Sequence, residues 1–248
     1  MERRGSVAKV VSVYQLGTVE YGAAGRLQEE IAAARARDAI GDTLLLLQHP
    51  PVITVGRGGG WEDIVAPADL LRREGVDLLP TDRAGRATYH GPGQLVVYPI
   101  FKLPDRDLHA YVWRLEETAI RALEVYGLQA GRVEAHPGVW LAVNKIAAIG
   151  LAVRRGIARH GMALNVEPRM DHFDLLVPCG IADQGVTSMA RELGRAVDLE
   201  AVGRELVAAL CCVFDCQAAW ADPAGLPWPP AEGRVPAEDV GSAGDQPP

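Results

Sequence analysis

Apolar positions along this chain follow two rhythms. Residues 8–14 alternate loosely and are rich in valine, which predicts a strand. Residues 44–47 are apolar without a break, the pattern of a strand buried on both faces. After His49-Pro50-Pro51, residues 52–55 predict another strand, which stops at the glycine-rich turn 56–60. Residues 95–101 give a further central strand, with Pro99 pushing its far end towards an edge or a bulge, because proline brings no N–H to a ladder. Residues 139–141, 145–153 and 157–166 predict three successive strands, joined by tight turns at 143–144 and 154–156.

The second rhythm is helical. Leu27, Ile31 and Ala34 recur at helical spacing in a segment running towards Asp38, with Thr18 as its expected cap. Asp107 is expected to cap a helix reaching about residue 126, with Leu108, Val112, Leu115, Ile120 and Leu123 inward and Gly127 past its end. A last helix from Asp198 carries Val202, Leu206, Leu210 and Phe214 on one face, and Cys211, Cys212 and Cys216 are read as part of it. Helices and strands mix without strict alternation. That predicts an α+β (mixed α/β) fold, one domain over residues 1–220 with a central mixed sheet flanked by helices. Residues 221–248 are Pro-, Ala- and Gly-rich without apolar periodicity, and read as a mobile acidic tail.

Charge and cysteine usage narrow the function classes. The 248 residues carry a formal net charge of −7. Much of it lies in the tail, where Asp222, Glu232, Glu238, Asp239 and Asp245 face only Arg234. An acidic chain is a poor partner for nucleic acid. No apolar run has the length of a membrane span, and residues 1–5 lack the apolar stretch of an export signal. With cysteines not spaced as a disulfide framework, the expectation is a cytoplasmic protein with free thiols.

Three places could carry chemistry. The stretch R-A-G-R-A-T-Y-H-G-P-G-Q, residues 83–94, combines glycines that let backbone approach a ligand with arginines, Tyr89 and His90 as polar groups. Its bland reading is a stiff turn feeding a buried strand. Cys179 sits between Pro178 and Gly180, a setting that can expose a sulfur beside backbone N–H groups; buried free cysteine is otherwise a small hydrophobe. Lys145 heads the apolar run Ile146-Ala147-Ala148-Ile149. A buried ammonium needs a partner, and one beside Cys179 would stabilise the thiolate, which is the nucleophile. His160 competes as a base, and His136 reads as a loop residue.

Four blocks in order resemble the lipoyl(octanoyl) transferases, of the biotin/lipoate protein ligase-like fold. They are His49 to Arg57, the stretch ending at Gln94, K-I-A-A-I-G at 145–150 with H-G-M-A-L-N-V at 160–166, and P-C-G-I at 178–181 with T-S-M at 187–189. The resemblance implies transfer of an octanoyl (or lipoyl) group from acyl carrier protein to a lysine of apo lipoyl domains. These are the domains of 2-oxoacid dehydrogenase complexes and the glycine cleavage H protein. It implies Cys179 as nucleophile and Lys145 as proton acceptor. An acyl pocket would be lined by Arg83, Ala84, Gly85, Arg86, Ala87, Thr88, Tyr89 and His90, by Ala148, Ile149 and Gly150, and by Gly161, Met162 and Ala163. Burying the chain there would contribute roughly 5 kcal/mol at about 0.8 kcal/mol per methylene. Neither cofactor nor metal nor ATP is implied, and the expected state is a monomer away from membranes. Two alternatives remain at this point. An ATP-dependent lipoate or biotin ligase of the same fold would leave Cys179 idle, and a non-catalytic carrier-protein binding module would explain neither Lys145 nor Cys179.

Overall fold

The computed structural model describes residues 9–103, 105, 107–134, 136–177 and 185–227. Strand β1 (Lys9–Thr18) leads into helix α1 (Tyr21–Ala36), then β2 (Asp42–Gln48) and β3 (Val52–Val55). Helix α2 (Ala68–Glu74) and β4 (Asp77–Pro80) precede β5 (Ala87–His90), β6 (Gln94–Ile100) and helix α3 (Leu108–Glu124). Strands β7 (Gly131–Val133), β8 (His136–Leu141), β9 (Asn144–Arg154) and β10 (Ile157–Asn165) follow. Helices α4 (Met189–Leu193) and α5 (Leu199–Phe214) and strand β11 (Cys216–Trp220) complete the order.

Eight strands form one mixed sheet in the order β11-β1-β2-β6-β10-β9-β8-β7, parallel from β11 to β2 and antiparallel beyond. One face packs on α3 and α5 through Leu46, Val97, Leu115, Leu164 and Leu206. The other packs on α1 through Leu27, Ile31, Leu45, Val96 and Tyr98. Burial on both faces explains the unbroken apolar run of β2. The α+β expectation holds, and so do the Asp107 and Asp198 caps, which accept from Ala110 N–H and Glu200 N–H, each at 2.9 Å.

Several details differ from the sequence reading. Thr18 does not cap α1. It ends β1 opposite Gln48, and the helix starts after Glu20 without a side-chain cap. A second sheet, β4-β3-β5, takes a third of the 83–94 stretch as strand and builds its own core with Leu71, Phe173 and Leu175. Cys216 opens β11 instead of ending the helix. The chain continues past Trp220: Ala221 N–H donates to Val13 O at 2.9 Å, and Leu226 packs on the α1-side core.

Pro99 sits in the interior of the large sheet, between β2 and β10. The ladder with β10 pairs Val97 with Met162, lapses opposite Pro99, and resumes in the same register where Lys102 meets Ile157. The position facing Pro99 is His160. Its N–H is turned to Gln28 Oε1 (2.7 Å), while the Pro99 carbonyl accepts from Tyr111 Oη (3.2 Å). The His160 N–H and the Pro99 carbonyl thus each have a side-chain partner, as burial demands.

Candidate functional site

A cavity of about 480 Å³ opens between the large sheet, the small sheet and the loop 83–86. Its position follows from strand lengths. Gly138 faces Ala148, so β8 covers only the first half of β9, and among the described residues the edge from Leu151 onward lacks a strand partner on that side. The 83–86 loop closes over it, with Ala84 N–H donating to Leu151 O at 2.7 Å. Gly150 is needed at this crossing, because a Cβ there would stand 3.0 Å from Arg83 Cδ and 3.1 Å from Ala84 O.

Of the pocket residues inferred from sequence, Arg83, Ala84, Gly85, Arg86, Ala87, Thr88, His90, Ala148, Ile149, Gly150, Gly161, Met162 and Ala163 line this cavity, as does Lys145. Tyr89 does not. Residues alternate along β5, so its ring turns into the small-sheet core against Phe173, and its hydroxyl meets His172 Nδ1 at 2.9 Å. Burial raises that phenol to about 12. Arg83 is mainly a clamp: it is buried, and Nη2 donates to the Thr54 carbonyl (2.8 Å) and to Thr54 Oγ1 (2.9 Å). Arg159 is also buried, paired with Glu29 and Asp82. Arg86 pairs with the buried Asp63.

Lys145 is 8% exposed. Its Nζ donates to Pro137 O (3.3 Å) and lies 4.6 Å from the centre of the Trp140 ring. The backbone is held as firmly: Lys145 N–H donates to Gly185 O (2.9 Å), and Thr187 N–H donates to Lys145 O (3.0 Å). Lys145 is therefore stitched to the chain just after residues 178–184. On the other side of those residues Val177 N–H donates to Asp63 O at 2.7 Å. Cys179, with Pro178, Gly180 and Ile181, lies outside the described residues.

The structure adds lining residues that the sequence reading assigned elsewhere. Leu108 and Val112, read as inward core positions of α3, both border the cavity; Val112 also packs against the core, whereas Leu108 is 43% exposed. His136 begins β8 and lines the cavity rather than standing in a loop. Tyr21 and Tyr98 complete the α1-side wall, where Tyr21 stacks on His90 at 5.7 Å. Tyr98 Oη bonds His49 Nε2 (2.7 Å), and His49 Nδ1 bonds the Val19 carbonyl (2.6 Å).

These imidazoles are held neutral. Burial pushes His49 down to about 4 and His90 well below the usual histidine range. Burial also lowers His160, although Asp82 pulls the other way. A histidine depressed in the folded state binds fewer protons there than when unfolded. Its contribution is complete above about pH 6.5 and is lost as pH falls towards 4. For His49 the loss is roughly 3 kcal/mol. Urea unfolding between pH 7 and 4 should show this fall. The His49→Gln variant, which cannot take up that proton, should show a shallower one. Equal pH slopes in the two proteins would contradict the assignment.

Residues 20–211 match the family described as lipoyl protein ligase A/B catalytic domain. An octanoyltransferase of Chloroflexus aggregans is 49% identical over 213 residues, covering 84% of this chain and 96% of the relative. One of a Roseiflexus species is 46% identical over 216 residues, covering 85% and 90%. Among solved structures, a lipoate protein ligase of T. acidophilum with bound lipoic acid superposes with a TM-score of 0.70 at 18% identity, covering 85% of this chain and 88% of that one. At that identity the likeness carries the fold.

Proposed function

The chain belongs to the lipoyl protein ligase A/B catalytic domain family, and from that membership we propose that it is an octanoyltransferase acting in protein lipoylation. The observation that carries this reading is a buried lysine on the wall of a half-open, largely apolar cavity, in a chain nearly half identical to octanoyltransferases along most of its length. The donor is an octanoyl thioester of acyl carrier protein. The acceptors are lysines of apo lipoyl domains, those of 2-oxoacid dehydrogenase complexes and the glycine cleavage H protein, in the cytoplasm.

In the first half-reaction the Cys179 thiolate attacks the thioester carbonyl. The carbon–sulfur bond to the carrier breaks, and the departing thiolate takes a proton from the Lys145 ammonium. An octanoyl thioester on Cys179 and a neutral Lys145 amine remain. In the second, the acceptor amine attacks that thioester and the carbon–nitrogen bond forms. Lys145 takes up the released proton, and the Cys179 thiolate leaves. One thioester replaces another, so the acyl-enzyme forms without ATP. Pro137 O fixes where the ammonium stands, and proximity of this kind supplies much of an acyl-transfer enzyme's advantage.

Mixing the protein with octanoyl-carrier protein in the absence of ATP should give an adduct one octanoyl group heavier by intact mass. Adding an apo lipoyl domain should discharge it. Absence of the adduct, together with octanoylation of the domain from free octanoate and ATP, would overturn the reading in favour of a ligase.

A further inference from the structure

His160 breaks two rules of a β-strand. It adopts a left-handed backbone, φ 57°, in the middle of β10, a conformation that costs a residue with a Cβ. Strict alternation would send its side chain to the face of Ala158 and Met162, which lie in the core under α3 and α5. Instead the imidazole joins Arg159 on the opposite face. Nε2 meets Asp82 Oδ1 at 2.7 Å, and the ring lies edge-on to Tyr98 at 6.1 Å. The left-handed residue turns the ring towards the cavity that it lines. Backbone strain of this kind persists where surrounding contacts over-determine it, and it clusters at functional sites.

Position along the sheet says what the ring could contact. The Lys145 ammonium rests on Pro137 O, and the register that sets Gly138 against Ala148 places Pro137 beside Ile149. His160 faces Leu151, two residues further along β9. That step is about 7 Å along the strand, with β8 and β10 each about 4.8 Å to either side of β9, so the ammonium and the ring stand roughly 12 Å apart. An extended eight-carbon acyl chain spans about 9 Å at the ~1.2 Å per bond of an extended backbone. A chain whose carbonyl lies by the ammonium and which runs obliquely across β9 therefore brings its last carbons to the imidazole.

The ring is also an unfavourable neighbour for further methylenes. Other polar groups of this wall have protein partners: Tyr21 Oη has Thr81 Oγ1 (3.0 Å), Tyr98 Oη has His49, and His90 Nδ1 has Gln94 Oε1 (2.7 Å). His160 Nδ1 is buried and has no hydrogen-bond partner among the described residues. That nitrogen is already closed off within the protein, so what a longer chain meets is the bulk of the ring itself, held in place by Asp82 and packed against Tyr98.

We propose that His160 determines acyl-chain length, its imidazole standing at the end of an eight-carbon chain and rejecting longer ones. The inference rests on the octanoyl-transfer reading for its carbonyl position, and it makes His160 a specificity residue with no part in proton transfer. The test offers the wild type an equal mixture of octanoyl-, decanoyl- and dodecanoyl-carrier protein and reads the acyl-enzymes by mass. The same is done with His160→Asn and His160→Gly, whose new residues tolerate the left-handed backbone. Octanoyl should dominate in the wild type, and both variants should raise the decanoyl-to-octanoyl ratio about tenfold or more. An unchanged ratio in a folded variant overturns the proposal. Binding of the free acids to the wild type decides it without any variant or any transfer: dodecanoate should bind at least about tenfold more weakly than octanoate. Equal or tighter dodecanoate binding overturns it. Failure of the wild type to take an acyl group from any carrier would instead sink the transfer function.

Discussion

Replacing Lys145 with methionine should slow octanoyl transfer by about two to four orders of magnitude, the usual contribution of a positioned acid or base. The side chain is buried against Trp140 and Pro137, so methionine keeps the packing and removes the charge and the protons. Lys145→Arg should separate the two roles. A guanidinium keeps a cation at this position but does not give up its proton. The arginine variant should still form some acyl-enzyme and should fail to discharge it to a lipoyl domain. Iodoacetamide alkylation of Cys179 against pH is the accompanying measurement. In the wild type the rate should rise at a lower pH than the free-thiol value of about 8.5, and Lys145→Met should move the rise upward. Identical profiles in wild type and Lys145→Met would refute the pairing of these two residues.

Removal of Cys179, the proposed nucleophile, should be at least as severe. Cys179→Ala is expected to abolish the acyl-enzyme and to reduce transfer on the order of a thousandfold or more. Cys179→Ser should retain at most a trace, since a hydroxyl lacks the thiolate that Lys145 can stabilise. Thermal unfolding should move little, because the segment's anchors at Val177, Gly185 and Thr187 are backbone hydrogen bonds that the substitution does not touch. An alanine variant that still accumulates a covalent octanoyl adduct at the wild-type rate would show that the nucleophile is a different residue.

Long segments were the legible part of this molecule. Strands β2 and β9 and helix α5 are continuous or strongly periodic, and their burial follows that pattern. Of the small sheet only β3 was legible, since β4 and β5 have four residues each and β5 lies within a glycine-rich stretch that reads as a turn. In α3 the helical period identified an apolar stripe but not what covers it. The stripe's N-terminal end, Leu108 and Val112, borders the cavity while Leu115 and Leu123 are core. Lys145 could be picked out because one cation in an apolar run needs an explanation. His160 could not be placed, because a left-handed residue without glycine leaves no mark in the sequence. The contact of Pro137 O with the ammonium depends on pairing between β8 and β9, which side-chain composition does not encode.

The lapse in the ladder opposite Pro99 has a consequence for anyone recombining this protein with its relatives. Four residues scattered over four elements share one account of hydrogen bonds: Gln28 on α1, Pro99 on β6, Tyr111 on α3 and His160 on β10. An ordinary residue at position 99 would bring an N–H into the ladder gap, and a parent without Gln28 would leave the His160 N–H buried and unmatched. A chimera joined anywhere between positions 28 and 160 therefore inherits a working cavity only if both parents made the same choice at all four. Crossover points before Gln28 or after His160 avoid the conflict, so the modular unit of this fold is longer than any of its strands.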